Sequence, residues 1–302
     1  MSKTIYWHLP GFCYFKLLNL TLIDLLKKYP SCFYDGYTIG SVYGTFPGAI
    51  WNGGRTVLGF TSKNDVQRTL KEYNSRNIPV RFTWTNPLIG EDETKDSLCN
   101  MIMTQAQNGM NQVLVNSPVL ESYLREKYPD FKFVSSTTKR IIDSGALQEE
   151  LKKDYFMVVL DYDLNHDEAV LKSLEPEASR VEILVDEICF PNCPKRLEHY
   201  RDEGEKQLQF EVAPPFECLN RQQKKSFQDC MKRPAFISKE AMAGYIDRGF
   251  ENFKLVGRGL PMDLVLESYL YYLVKEEEQE FIRREITRTL QDAQMKRAAQ
   301  RR

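Results

Sequence analysis

Eight times along the chain, a short run rich in β-branched and aromatic residues is followed by a segment with the apolar spacing of a helix. The strand-like runs are 4–9, 37–44, 78–84, 111–116, 131–136, 155–163, 180–187 and 253–259. Their mostly continuous apolar character is typical of parallel strands that are covered on both faces. Eight such units in 302 residues predict an α/β chain folded as a (β/α)8 TIM-type barrel. A doubly wound open sheet is the alternative.

Two segments depart from the repeat. Residues 201–236 are too long and too polar for an ordinary connection, so they predict an insertion after strand 7. From about residue 275 the chain has the pattern of a charged helix with little apolar surface. Because no Pro/Ser-rich linker divides the chain, we expect one barrel domain over 1–275, with the insertion at about 201–236, and a C-terminal helical tail over 276–302.

The charge balance limits the classes of partner. With 41 basic and 42 acidic residues, the formal net charge of −1 argues against a general nucleic-acid or membrane binder. No apolar run approaches the roughly 20 residues that span a bilayer, and the N-terminal residues lack the pattern of a secretion signal. Seven cysteines, an odd number, indicate a reducing compartment. We therefore expect a cytoplasmic protein whose substrate is a polar small molecule or a modified macromolecule, with a protein partner as a further option and nucleic acid only as a substrate.

In a barrel of this type, chemistry gathers where the strands end at their carboxyl side. The polar residues at those predicted positions are His8, Tyr43, Asn86, Asn116, Ser135, Ser136, Asp161, Asp163, Asp186, Glu187 and Arg258. A strand that ends in carboxylates points to function, because an unpaired buried charge is costly; solvent at the strand end is the alternative explanation. We expect acid/base roles for four of these residues, Asp161, Asp163, Asp186 and Glu187. Ligand-binding roles are expected for Asn86, Asn116 and Arg258.

The loop "YGTFPGAIWNGGR", residues 43–55, follows the second strand and contains four glycines. Glycine permits close backbone approach or positive φ, and Arg55 offers a forked donor for a carboxylate or a phosphate. The loop lacks both the Gly-Lys-Ser/Thr ending of a P-loop and the spacing of a dinucleotide-binding motif. The sequence therefore predicts Arg55 as a further ligand-binding residue, with a purely structural tight loop as the alternative.

Four of the seven cysteines, Cys189, Cys193, Cys218 and Cys230, fall within 42 residues after strand 7. Four thiolates can hold zinc or an iron–sulfur cluster, and buried packing is the third alternative. The Cys-x3-Cys spacing opens the radical-SAM motif, but Arg196 stands where the third cysteine of that motif is required. A nucleophilic Cys193, activated by the neighbouring Lys195 and Arg196, is a further alternative.

The run "CFPNCPKRLEHY" at 189–200, the cysteine-bearing insertion, and "RPAFISKEAMAGYIDRGFENFKLVGRGLP" at 233–261 together resemble the peptidase U32-like family, mainly over residues 180–262. The resemblance implies a four-iron four-sulfur cluster on Cys189, Cys193, Cys218 and Cys230, and redox or hydroxylation-type chemistry on a polar substrate. The sequence contains neither a His-Glu-x-x-His nor a Gly-x-Ser-x-Gly motif, so no such motif supports peptidase chemistry. The alternative is a non-catalytic or peptidase-like barrel with structural zinc or no metal, so enzymatic activity is left open.

Overall fold

The computed structural model describes residues 3–218, 226–257 and 259–300. Eight parallel strands form a closed barrel in sequence order, and β8 pairs with both β7 and β1. The strands are β1 (Ile5–Pro10), β2 (Tyr37–Gly44), β3 (Val80–Trp84), β4 (Gln112–Val115), β5 (Lys132–Ser135), β6 (Met157–Val159), β7 (Val181–Leu184) and β8 (Asn252–Lys254). The closed sheet confirms the predicted (β/α)8 barrel and excludes the open-sheet alternative.

Helices follow the strands around the outside of the barrel. They are α1 (Lys16–Lys28), α2 (Lys63–Asn74), α3 (Ser97–Ala106), α4 (Pro118–Lys127), α5 (Ser144–Lys152), α6 (Glu168–Leu174), α7 (Arg196–Gln209), α8 (Phe227–Met231), α9 (Met242–Asp247), α10 (Met262–Leu273) and α11 (Gln279–Gln300). Ser62 caps α2 in a capping box with Asp65. A 3-10 turn at Glu93–Lys95 precedes α3, and the Asp96 side chain caps the start of α3 by accepting from the backbone N–H of Cys99.

Two apolar clusters hold the barrel together. The larger cluster lies between the strands and the helices and includes Trp7, Phe82 and Val185, each fully buried. The smaller cluster comes from alternate residues of β4 to β7 that point into the barrel, among them Leu114 and Leu184. The rest of the barrel interior is polar, which is unusual for a packed barrel centre and bears on the site below.

The insertion and the tail are both partly helical. Within its described part, the insertion contains α7 and α8, and α7 already begins at Arg196. In the tail, α11 packs against α1 and α10 through the fully buried side chains of Ile282 and Ile286, while most side chains beyond Leu290 are exposed. Across the three described ranges, no helix combines the length and the apolarity needed to cross a membrane.

Candidate ligand-binding site

A buried charge network occupies the barrel interior on the side of β1, β3, β7 and β8. The Glu182 carboxylate is fully buried and pairs with Arg81, with Lys254 Nζ at 3.1 Å and with His8 Nε2 at 3.4 Å. The Arg81 Nε donates to Gln112 Oε1 at 2.7 Å. Burial alone would raise the pKa of Glu182, but Arg81 and Lys254 hold the pKa of this carboxyl well below its ordinary value. Glu182 is therefore a permanent anion whose charge is balanced inside the barrel.

His8 belongs to this network and not to the mouth of the barrel, so its predicted position at the carboxyl end is wrong. β1 continues for two residues beyond His8 to Pro10, and the imidazole Nδ1 lies 2.8 Å from Ser41 Oγ. His8 also lines a cavity at the amino-terminal end of the barrel together with Asn252 and Gln112. Burial lowers the pKa of His8 to about 3, so the imidazole is neutral at physiological pH.

At the carboxyl end, the loops after β1, β2 and β8 enclose a cleft of about 850 Å³, here called the outer cleft. Its lining includes Phe15, Pro47, Leu58 and Leu260. Gly257 contributes backbone only, because a Cβ at that position would lie 2.2 Å from Pro10 Cγ. The volume is in the range of sites that take a small organic molecule, roughly 300–1,000 Å³.

A second, smaller cavity of about 90 Å³ lies in the barrel mouth beneath α7, and we call it the inner chamber. The polar side chains that line it are Tyr43, Arg55, Ser136, Thr137, Thr138, Tyr162, Glu187, Cys189, Arg196, His199, Tyr200 and Lys254. The hydroxyl oxygen of Thr137 is buried here and has no hydrogen-bond partner within the described ranges, and the buried Tyr162 hydroxyl lies beside the Cys189 thiol. Since a liquid water molecule takes about 30 Å³, the chamber holds a few waters or one small polar group.

Arg55 lines both the outer cleft and the inner chamber, and its role in ligand binding stays a prediction. Its Nη1 donates to the backbone oxygen of Gly54 at 2.9 Å, and it forms no ion pair with any described residue. Burial disfavours the charged guanidinium, but Cys189, Glu203 and Glu187 nearby outweigh burial and raise its pKa. Arg55 is thus a charged guanidinium group that borders both cavities and has N–H donors that no described residue accepts from.

The loop that carries Arg55 is held by α7. Glu203 Oε2 accepts from the backbone N–H of Thr56 at 2.6 Å, and Gln207 Oε1 accepts from that of Val57 at 2.6 Å. Burial alone would raise the pKa of Glu203, but hydrogen bonds from His199 and Thr56 lower it to about 2. The insertion therefore positions the glycine-rich loop and covers the inner chamber.

Asp161 and Asp163, predicted as acid/base residues, are engaged by two arginines. Arg140 donates to Asp161 at 2.6 Å and to Asp163 at 2.8 Å, and Arg196 donates to Asp163 at 3.0 Å. Burial raises the pKa of Asp161, whereas hydrogen bonds from Arg140 and Arg196 outweigh burial at Asp163 and lower its pKa. These ion pairs tie the ends of β5 and β6 to the start of α7.

Asp186 and Glu187 are adjacent in sequence but face different surroundings. Asp186 accepts from Val256 N at 2.7 Å and from the Ser268 hydroxyl, and burial raises its pKa to about 7. Glu187 lines the inner chamber, and its Oε1 accepts from the backbone N–H groups of Ile188 and Cys189, each at 2.9 Å. Of the four predicted acid/base residues, only Glu187 lines the chamber.

The predicted amide ligands have structural contacts. Asn86 is fully buried and donates to the backbone oxygens of Ile50 and Gly204, each at 3.1 Å, so it joins β3 to α7. Asn116 donates to Thr138 Oγ1 at 2.8 Å and borders a groove between α4 and α5. Arg258, the third residue predicted on the strand ends for ligand binding, lies outside the described residues.

Two of the four cysteines predicted as metal ligands, Cys189 and Cys230, lie in different surroundings. Cys189 lines the inner chamber, and burial, reinforced by Glu187, raises the pKa of its thiol to about 12. Cys230 is buried in the larger apolar cluster, with the pKa of its thiol also raised to about 12 by burial. Among the residues that the structure describes, no three His, Cys, Asp or Glu side chains lie close enough to hold a metal ion. These cysteines therefore do not form a ligand set in this arrangement, and metal binding by Cys189, Cys193, Cys218 and Cys230 stays a prediction.

Several residues of the site were not selected from the sequence. The inner chamber is also lined by Lys254, Tyr162 and Tyr200. The sequence feature that indicates a site at Lys254 is a charged residue within an otherwise apolar strand. Arg81 and Glu182 carry the same signal in β3 and β7. A charged residue that points into a parallel barrel needs a partner there, so these residues could have been paired in advance.

The fold and the cavities define a (β/α)8 barrel with a small-molecule-sized site at the carboxyl ends of its strands. The barrel is similar to a solved structure described as that of the U32 peptidase Mk0906, with a TM-score of 0.54 over 86% of this chain and 96% of that chain. Sequence identity is 14%, so the likeness shows a U32-like fold. No family model and no curated protein matches the sequence.

Proposed function

We propose that the carboxyl end of the barrel binds a small anionic molecule and that Arg55 anchors its negatively charged group. The observation that supports this most directly is the contrast between Arg55 and three other described arginines around the barrel interior. Arg81, Arg140 and Arg196 each pair with a buried carboxylate. Arg55 has no such partner among the described residues, although it lines both cavities.

The inner chamber suits the charged group of such a ligand. Besides Arg55, the Thr137 hydroxyl is unpaired within the described part of the chain and can donate to an anion. A chamber of about 90 Å³ has room for one carboxylate or phosphate group. Glu187 is the acid/base group of this proposal, because it is the chamber-lining member of the predicted carboxylates.

The test is ligand-observed NMR titration of the protein with acetate and with inorganic phosphate. We expect saturable binding of at least one anion, and we expect Arg55→Gln to weaken it about 10- to 100-fold, since a charge-assisted hydrogen bond contributes about 1.5–3 kcal/mol. Arg68→Gln is the matched control, because Arg68 is 65% exposed on the surface of α2. Binding that is absent, or that Arg55→Gln leaves unchanged, would contradict the proposal.

Iron–sulfur-supported redox chemistry is the second candidate function. Its structural support is that Cys189 lines the inner chamber, in the connection after β7 that also carries the other three predicted ligands. No step is assigned to a cluster, because the described cysteines are not grouped. Iron and sulfide analysis of protein purified without oxygen tests it. About four of each per chain, lost in Cys193→Ala, is the expected result. Zinc would favour the structural-metal alternative, and metal-free protein would contradict both.

A further inference from the structure

The outer cleft is far larger than an anionic group requires. Its volume is about 850 Å³, against about 90 Å³ for the inner chamber, and Arg55 borders both. If the charged group lies at Arg55, the remainder of the ligand extends into the outer cleft. The chemistry of the cleft lining therefore indicates what that remainder is, and this step rests on the proposed function.

The lining of the outer cleft is mainly apolar. Phe15 and Leu260 are packed into its wall at 2% and 3% exposure, and Pro47, Leu58 and Pro261 also face it. Glycine backbone completes much of the surface, while Arg55 is the single charged side chain in the described lining. Such a surface binds an apolar body by removing it from water.

Exposed aromatic side chains stand on the same loops. Tyr14, in the β1–α1 loop, lines the cleft and is 77% exposed. Phe60 follows the lining residue Leu58 by two positions and is 100% exposed. An exposed apolar group beside a concave apolar surface is typical of a binding site. These two rings are available to cover a bound ligand.

The charge of the site favours a single negative charge on that ligand. Glu187 lines the chamber, and Glu203 lies close enough to Arg55 to raise its pKa. A doubly charged phosphate would be repelled by both carboxylates, whereas a carboxylate brings one charge and matches the planar guanidinium fork. We propose that the ligand is a monocarboxylic acid with an apolar body, its carboxylate on Arg55 and its body in the outer cleft.

The experiment compares acetate with 4-phenylbutyrate, which adds an apolar body to the same charged group. We expect 4-phenylbutyrate to bind at least about tenfold more tightly, because its body loses apolar surface to the cleft. Tyr14→Ala should remove much of that gain and leave acetate binding unchanged. Phe156→Ala is the control, since Phe156 is a 42% exposed ring at the opposite end of the barrel.

Each outcome bears on a different statement. Equal affinity for acetate and 4-phenylbutyrate, with both lost in Arg55→Gln, would contradict the proposal that the ligand has an apolar body. The proposal that Arg55 binds an anion would remain supported. Tighter binding of inorganic phosphate than of either acid would contradict the proposal that the ligand carries a single negative charge. Binding of 4-phenylbutyrate that persists in Arg55→Gln would overturn the proposed function as well.

Discussion

Single carboxylates around the barrel mouth differ because of what surrounds each one. Asp163 faces Arg140 and Arg196, so its pKa is lowered despite burial. Asp186 is 1% exposed, and among the described residues its carboxylate accepts from the Ser268 hydroxyl and the Val256 N–H but forms no ion pair with a cation. Burial therefore dominates at Asp186 and raises its pKa to about 7. Residue type alone does not separate these cases, because the neighbours come from distant parts of the chain.

The raised pKa of Asp186 predicts a pH dependence of stability. The folded protein binds the Asp186 proton more tightly than the unfolded chain, whose aspartate pKa is about 3.9, so the free energy of unfolding falls as pH rises from about 4 to about 7. Asp186→Asn mimics the protonated carboxyl and removes this slope. We expect the variant to gain stability relative to the native protein between pH 5 and pH 8.

Urea denaturation at these two pH values measures the effect. Asp154→Asn is the matched control, because that side chain is fully exposed. A stability difference between Asp186→Asn and the native protein that does not change with pH would contradict the raised pKa.

Among the elements, α7 has the largest influence on the site. It covers the inner chamber with His199 and Tyr200, and it holds the glycine-rich loop through Gln207. Gln207 is fully buried, and its Nε2 also donates to Ala49 O at 3.1 Å. Strands, caps and the first helices follow from local patterns and were predictable. The contact between Gln207 and Val57 spans 150 residues, so no local pattern could indicate it.

Removing the Gln207 side chain should loosen the loop that carries Arg55. Gln207→Ala removes the acceptor of the half-buried Val57 N–H, and the net loss of such a hydrogen bond costs about 0.5–1.5 kcal/mol. We expect faster hydrogen exchange at the Val57 amide, measured by mass spectrometry or NMR, and weaker anion binding. Gln209→Ala, an exposed position in the last turn of the same helix, is the control. Unchanged exchange at Val57 would show that α7 does not hold the loop.

For the whole molecule, the charge network inside the barrel is the feature that departs most from the predicted fold. The eight strands were predicted because each one is a local pattern, whereas Glu182 and Arg81 are 101 residues apart in the chain. Closing the barrel brings them together and makes each charge depend on the other. The stability of this network therefore depends on closure of the barrel, so a variant that removes one of its charges tests that closure.

Removing the central carboxylate should destabilise the entire barrel. Glu182→Ala leaves Arg81 and Lys254 buried without their anion, and breaking a buried pair in this way costs about 3–5 kcal/mol. Chemical denaturation of the variant measures the loss. Glu149→Ala, at 69% exposure, is the control and should change stability little. A loss below about 1 kcal/mol in Glu182→Ala would contradict a closed, charge-balanced interior.

The most direct test of the anion site is a crystal structure of the protein with 4-phenylbutyrate at saturating concentration. We predict the carboxylate oxygens within about 3 Å of the Arg55 guanidinium and the phenyl ring in the outer cleft, against Phe15 and Leu260. A carboxylate bound elsewhere, with both cavities holding only water, would contradict the assignment of this face as the ligand-binding site.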